Sequence, residues 1–158
     1  EVPAEVRDLA GIQHDGHVDV SNNSPSWGGA AGAIVSNTED WSRFYTALMG
    51  GKLLPAEQLA QLRDTVPVGG HGNGAGYGLG IDTQQLPCGT VWGHDGGIPG
   101  YLSDNFTDST GRRTASVLIS TEIFSEFGAE PKLAAAYTDL ANAVVCGMFD
   151  KPVSADPN

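Results

Sequence analysis

Positive charge is scarce in this chain of 158 residues: 8 Lys and Arg stand against 19 Asp and Glu, a formal net charge of −11. The cations are scattered from Arg7 to Lys151, with no basic patch that a phosphate backbone could use, so the balance speaks against nucleic acid as a partner. Long hydrophobic runs are missing too. None approaches the ~20 apolar residues of a membrane-crossing helix, so no membrane span is expected in this chain. Metal-ligand spacing is absent. His14 and His17, flanked by Asp15 and Asp19, have no Cys or third His nearby and read as a solvated turn; neither a metal nor a cofactor is expected. Thiols are limited to Cys88 and Cys146. A lone pair fits one disulfide in an oxidising compartment, or two buried free thiols, and composition leaves both open.

The most informative absence is a nucleophile motif. There is no Gly-x-Ser-x-Gly, no Ser-x-x-Lys, and none of the four tyrosines begins a Tyr-x-Asn. Ser103-Asp104-Asn105 and Ser21-Asn22-Asn23 spell short hydrolase triplets, but three-residue matches arise easily by chance.

What is plentiful is glycine, 22 residues in all. One stretch stands out: Val91-Trp-Gly-His-Asp-Gly-Gly-Ile-Pro-Gly-Tyr101. Val91 and Trp92 supply strand-favouring bulk. Gly93, Gly96, Gly97 and Gly100 strip the backbone so that another molecule can approach it. His94 adds a ring that can carry a proton beside bare N–H groups, a plausible piece of an active site.

With 40% hydrophobic residues the chain suits one globular domain with a real core. Residues 27–34, small and apolar, suggest a tightly packed passage beneath another element. Ser36-Asn37-Thr38-Glu39 matches a capping box with Ser36 as N-cap. Trp41, Phe44, Tyr45, Leu48 and Met49 then form one apolar helical face, ended by Gly50-Gly51. Pro55 at the first position begins a second helix that turns Leu59 and Leu62 inward and closes at Val66-Pro67. Residues 69–80 read as a glycine-dense loop running into a strand over 77–82. Gly70-His71-Gly72-Asn73-Gly74-Ala75 fits the loose dinucleotide pattern, but lacks the flanking strand and helix. Strands follow at 90–95, 101–107 and 114–121, the last two joined by the turn Asp108-Ser109-Thr110-Gly111, so antiparallel pairing is expected. Beyond Pro131, Leu133, Tyr137, Leu140, Ala141, Val144 and Val145 share a helical face, with Gly147 as the stop. The fold class is α+β: an antiparallel meander with a C-terminal helix packed on it, preceded by a small helical region. The organisation reads as residues 1–75, helical region and Gly-rich loop; 76–150, strands and helix; and 151–158, tail.

From Ser26-Trp-Gly-Gly-Ala-Ala-Gly-Ala-Ile-Val-Ser-Asn-Thr-Glu-Asp-Trp41 to Cys88-Gly-Thr-Val-Trp-Gly-His-Asp-Gly-Gly-Ile-Pro-Gly-Tyr101, the chain resembles the C-terminal half of the serine β-lactamase and D-alanyl-D-alanine carboxypeptidase family, in its class C-like branch. The resemblance covers about residues 27–147. It implies a penicillin-recognising, secreted serine hydrolase that works through an acyl-enzyme. His94-Asp95-Gly96 is similar to the family's third motif, Lys/His-Thr/Ser-Gly. His94 would support proton transfer, Asp95 and Gly96 would line the substrate strand, and the N–H of Gly97 would be an oxyanion-hole donor. Cys88 and Cys146 match positions bridged in similar carboxypeptidases. Asp95 stands where the family has a hydroxyl that helps bind a carboxylate. An aspartate there repels one, which favours a small neutral ester or amide over a peptide C-terminus. The first two motifs are expected on a segment upstream of Glu1, leaving this an incomplete β-lactamase/transpeptidase-like fold. Its expected partner is that N-terminal segment, or a second copy of the chain. The rival expectation is a non-catalytic binding or structural domain that retains the fold.

Overall fold

The computed structural model describes residues 22, 24–68, 74–98, 101–120 and 131–153. The His14 and His17 turn and His71 lie outside the described residues. Two compact units divide after Val35.

In the first unit, Pro25–Ala31 forms a 3-10 turn capped by the Ser24 hydroxyl, which accepts from the Ser26 N–H. Its apolar residues are not buried: Trp27 is 66% exposed, and Ile34 and Val35 are more open still. The expectation of a packed passage is therefore corrected. Gly29 and Ala33 both adopt positive φ here, which breaks the regular turn of the segment.

Among the described residues the second unit has three helices, α1 (Thr38–Met49), α2 (Ala56–Leu62) and α3 (Pro131–Met148), with a six-stranded antiparallel sheet. The strands are β1 (Val66–Pro67), β2 (Gly76–Tyr77), β3 (Asp82–Leu86), β4 (Gly89–Ile98), β5 (Tyr101–Thr107) and β6 (Thr114–Ile119), and they lie side by side in chain order. The meander is thus longer than the sequence pattern implies. Val66-Pro67, expected to close a helix, is instead an edge strand against β2. The strand expected at 77–82 splits into β2, a turn and β3. β3 is polar, Asp-Thr-Gln-Gln-Leu, so it lacks the alternation that marks a half-buried strand; the buried Thr83 hydroxyl donates to the Val91 carbonyl at 3.0 Å.

Successive residues on β4 face opposite sides of the sheet, and each side has its own core. Trp92 packs with Tyr45, Leu48, Met49 and Ile81 under α1. Val91 packs with Phe106 and Val145 under α3, full burial being worth about 1.5–3 kcal/mol per side chain. The sheet therefore lies between α1 and α3. α1 begins one residue later than the capping box predicts. Asn37 is the N-cap, its Oδ1 accepting from the Asp40 N–H at 2.9 Å, while Glu39 pairs along the helix with Arg43. Asn caps as well as Ser, so local pattern could not choose between them. Gly147 does not stop α3, which runs to Met148, and Leu140 is 42% exposed.

The last turn of α3 is fastened to the β3–β4 turn. Cys146 is disulfide-bonded to Cys88 across a Cα–Cα distance of 5.0 Å. Lys151 Nζ donates to the Cys88 carbonyl at 2.9 Å. The Phe149 ring fills the space beside Gly89, where a Cβ would come within 2.8 Å of it. The β5–β6 turn is closed by Asp108, whose Oδ1 accepts from the N–H and hydroxyl of Thr110 and from the Arg112 N–H.

Candidate active site

β4 is ten residues long, but its pairing with β3 ends at Asp82 opposite Gly93. On the other side, pairing with β5 continues to Ile98 opposite Tyr101. From His94 to Ile98, therefore, one edge of β4 has no strand partner among the described residues. This is the segment that carries His94, Asp95, Gly96 and Gly97. Gly93 sets the hinge of the arrangement. A Cβ there would sit 1.7 Å from the Asn105 carbonyl oxygen, so only glycine lets β4 and β5 come together at this point.

The triplet Ser103-Asp104-Asn105, which the sequence alone offers only as a chance match, stands in register opposite the His-Asp-Gly: His94 faces Asn105, Asp95 faces Asp104, and Gly96 faces Ser103. The buried Asn105 amide donates to the His94 carbonyl at 3.4 Å. Asp104 has its own support, since the Tyr137 hydroxyl of α3 donates to its Oδ2. Burial raises the Asp104 carboxyl above the usual carboxylate range and the nearby Asp95 charge adds to this, against the Tyr137 hydrogen bond, which lowers it. Burial, with the Asp104 contact, likewise raises Tyr137.

His94 is held at both ring nitrogens. Nδ1 lies 2.6 Å from the Asp95 carbonyl oxygen, which can only accept, so the proton resides on Nδ1. In the neutral ring Nε2 then accepts from the Tyr77 hydroxyl at 2.9 Å. The Tyr77 ring meets the imidazole edge-on, with centroids 5.6 Å apart. The Asp95 carboxylate is 3.6 Å from Nδ1 and its side chain is 72% exposed.

Tyr77, His94, Asp95 and Asp82 line one open cleft of about 310 Å3, with Thr83 and Gln84. A neighbouring hollow of about 480 Å3 shares Val68, Ala75, Gly76 and Thr83 with it but has no ionisable lining residue among the described residues, whereas the smaller cleft has four. The cleft is electronegative: burial first, then the Asp82 and Asp95 charges, push the Tyr45 phenol well above its ordinary value. Among the described residues no group of three or more His, Cys, Asp or Glu is placed to hold a metal.

The structure brings His94, Asp95, Gly96 and Gly97 together on one strand edge, and Cys88 with Cys146 at the opposite end of that strand's hairpin. Tyr77 is the member that pattern reading missed. It is 17 residues from His94 in sequence, and only the β2–β3–β4 register makes them neighbours.

Comparison with known proteins bears on this arrangement. Residues 2–139 match the family model described as Beta-lactamase. Among solved structures the chain is similar to a D-stereospecific amidohydrolase from Streptomyces sp., at 32% identity over 78% of this chain and 34% of that one, with a TM-score of 0.64. It is also similar to the D-amino acid amidase of Ochrobactrum anthropi SV3 complexed with L-phenylalanine, at 26% identity over 87% of this chain and 40% of that one, with a TM-score of 0.65. The same amidase complexed with L-phenylalanine amide matches at 32% identity over 60% of this chain and 28% of that one, with a TM-score of 0.52. The chain spans little more than a third of the length of the first two forms it resembles.

Proposed function

The chain belongs to the beta-lactamase family, and from that premise we propose that it forms one wall of the active site of a serine amidase or esterase. The observation that carries this reading is the edge of β4 left without a strand partner from His94 to Ile98 among the described residues, whose His94 and Asp95 line a cleft. A substrate acyl group laid along that edge meets the N–H of Gly97 as an oxyanion donor, with Gly96 leaving it room. His94 serves proton transfer during formation and hydrolysis of an acyl-enzyme. The serine nucleophile belongs to a segment outside these residues, one that carries Ser-x-x-Lys and Tyr-x-Asn. The exposed apolar residues Trp27, Ile34 and Val35 support such a covering segment.

Asp95 bears on the substrate. A carboxylate in an already acidic cleft opposes a substrate carboxylate, so an amide of an amino acid fits better than a penicillin or a peptide C-terminus. The similarity to a D-stereospecific amidohydrolase and a D-amino acid amidase supports that choice. The disulfide supports an extracellular location.

The test is intact-mass spectrometry after exposure to an activated D-phenylalanine ester. The 158-residue chain by itself is expected to remain unmodified. The same chain joined to its upstream segment is expected to gain one acyl group. Acylation of the isolated chain, or none in the longer protein, would overturn the proposal.

A further inference from the structure

We propose that Tyr77, not His94 directly, is the group that meets the reacting atoms, with His94 behind it in a two-member proton relay. The inference rests on the acyl-enzyme reading above and deepens it. Neither nitrogen of His94 is open to a substrate: Nδ1 is taken by the Asp95 carbonyl at 2.6 Å and Nε2 by the Tyr77 hydroxyl at 2.9 Å. The Tyr77 hydroxyl, in contrast, has a second oxygen lone pair and belongs to a residue that is 38% exposed and lines the same cleft. A proton that enters or leaves Nε2 therefore passes through the phenol oxygen.

The steps balance. When the serine attacks, its O–H proton goes to the phenol oxygen as the phenol proton goes to Nε2, and the serine oxygen forms its bond to the acyl carbon. When the C–N bond breaks, its electron pair takes the phenol proton and the imidazolium Nε2–H restores the phenol. The ring returns to the neutral form with its proton on Nδ1. Tyr77 ends each step with one proton and bears no lasting charge.

Tyr77→Phe keeps the ring and removes only the hydroxyl. On this 158-residue chain, ring 15N spectra of His94 are expected to show the neutral form with Nδ1 protonated and Nε2 accepting. The Nε2 hydrogen-bond signature is expected to vanish in Tyr77→Phe. A wild-type ring protonated on Nε2 in its neutral form would overturn the proposal.

The second measurement uses the longer protein that includes the nucleophile. An amide needs its leaving nitrogen protonated, whereas a p-nitrophenyl ester of the same acyl group does not. The ratio of amide to ester kcat is expected to fall on the order of a hundredfold in Tyr77→Phe. An unchanged ratio, whether both rates fall together or neither does, would refute the relay while leaving the hydrolase intact. If the wild-type protein turns over neither substrate, the acyl-enzyme reading itself fails.

Discussion

Reduction of the Cys88–Cys146 bridge is expected to cost about 4 kcal/mol of stability while leaving the native fold unchanged. The bridge spans a sequence separation of 58 residues, a loop that holds most of the meander and α3. In the chain-entropy account, closing a loop of that length removes about 4 kcal/mol of freedom from the unfolded chain. The folded side of the balance has independent fastenings at the same place. Lys151 holds the Cys88 carbonyl, Phe149 packs against Gly89, and Val145 is fully buried in the core. Those contacts do not need the S–S bond, so the native state should tolerate its loss. Urea unfolding followed by tryptophan fluorescence, with and without reductant, measures the difference. With a slope of about 2 kcal/mol per M, the midpoint should fall by about 2 M. A midpoint shift under about 0.5 M would refute the entropic reasoning. Amide shifts around the β3–β4 turn that change on reduction in water would place the effect in the folded state instead.

Three further outcomes follow from the packing. Gly93→Ala forces a Cβ to within 1.7 Å of the Asn105 carbonyl oxygen, a backbone clash that costs about 3 kcal/mol or more, whereas at Gly96 a Cβ meets only the Ser103 hydroxyl and should cost far less; thermal unfolding of the two variants checks the contrast. Asp108 is opposed by its burial, yet the hydrogen bonds from Thr110, Arg112 and Arg113 hold its carboxyl below the ordinary value, so the stability it adds is present above about pH 4 and lost as the pH falls further. Asp108→Asn should therefore flatten the acid limb of the stability profile, and an unchanged limb would contradict the assignment. Asn37→Ala removes the cap on the Asp40 N–H and should destabilise α1 by about 1 kcal/mol in chemical denaturation, with little effect if Ser36 takes over as cap.

Much of the fold was readable where local rules act alone. The apolar stripe of α1, the Asp108 turn and the β5 strand all rest on spacing or turn chemistry within a dozen residues. β1 and β3 were unreadable for opposite reasons. β1 is two residues long, and β3 owes its place to backbone pairing with β4 and not to an apolar face. The exposed Trp27 segment misled because small apolar residues record that something covers a surface, without saying whether the cover lies in the same chain.

The sequence by itself determined the antiparallel succession of the last three strands, the helix that closes the sheet, and the glycine-lined strand bearing His94. Those follow from periodicity, turn residues and short connections, all carried by neighbours in the chain. The tertiary structure alone decided that the β3–β4 pairing ends at Gly93 and leaves the β4 edge open, and that Tyr77 reaches His94 across two strand registers. It also decided that Asp95 lies opposite Asp104 under Tyr137. A side chain's partner across a sheet depends on register, and register is a property of the paired backbones together.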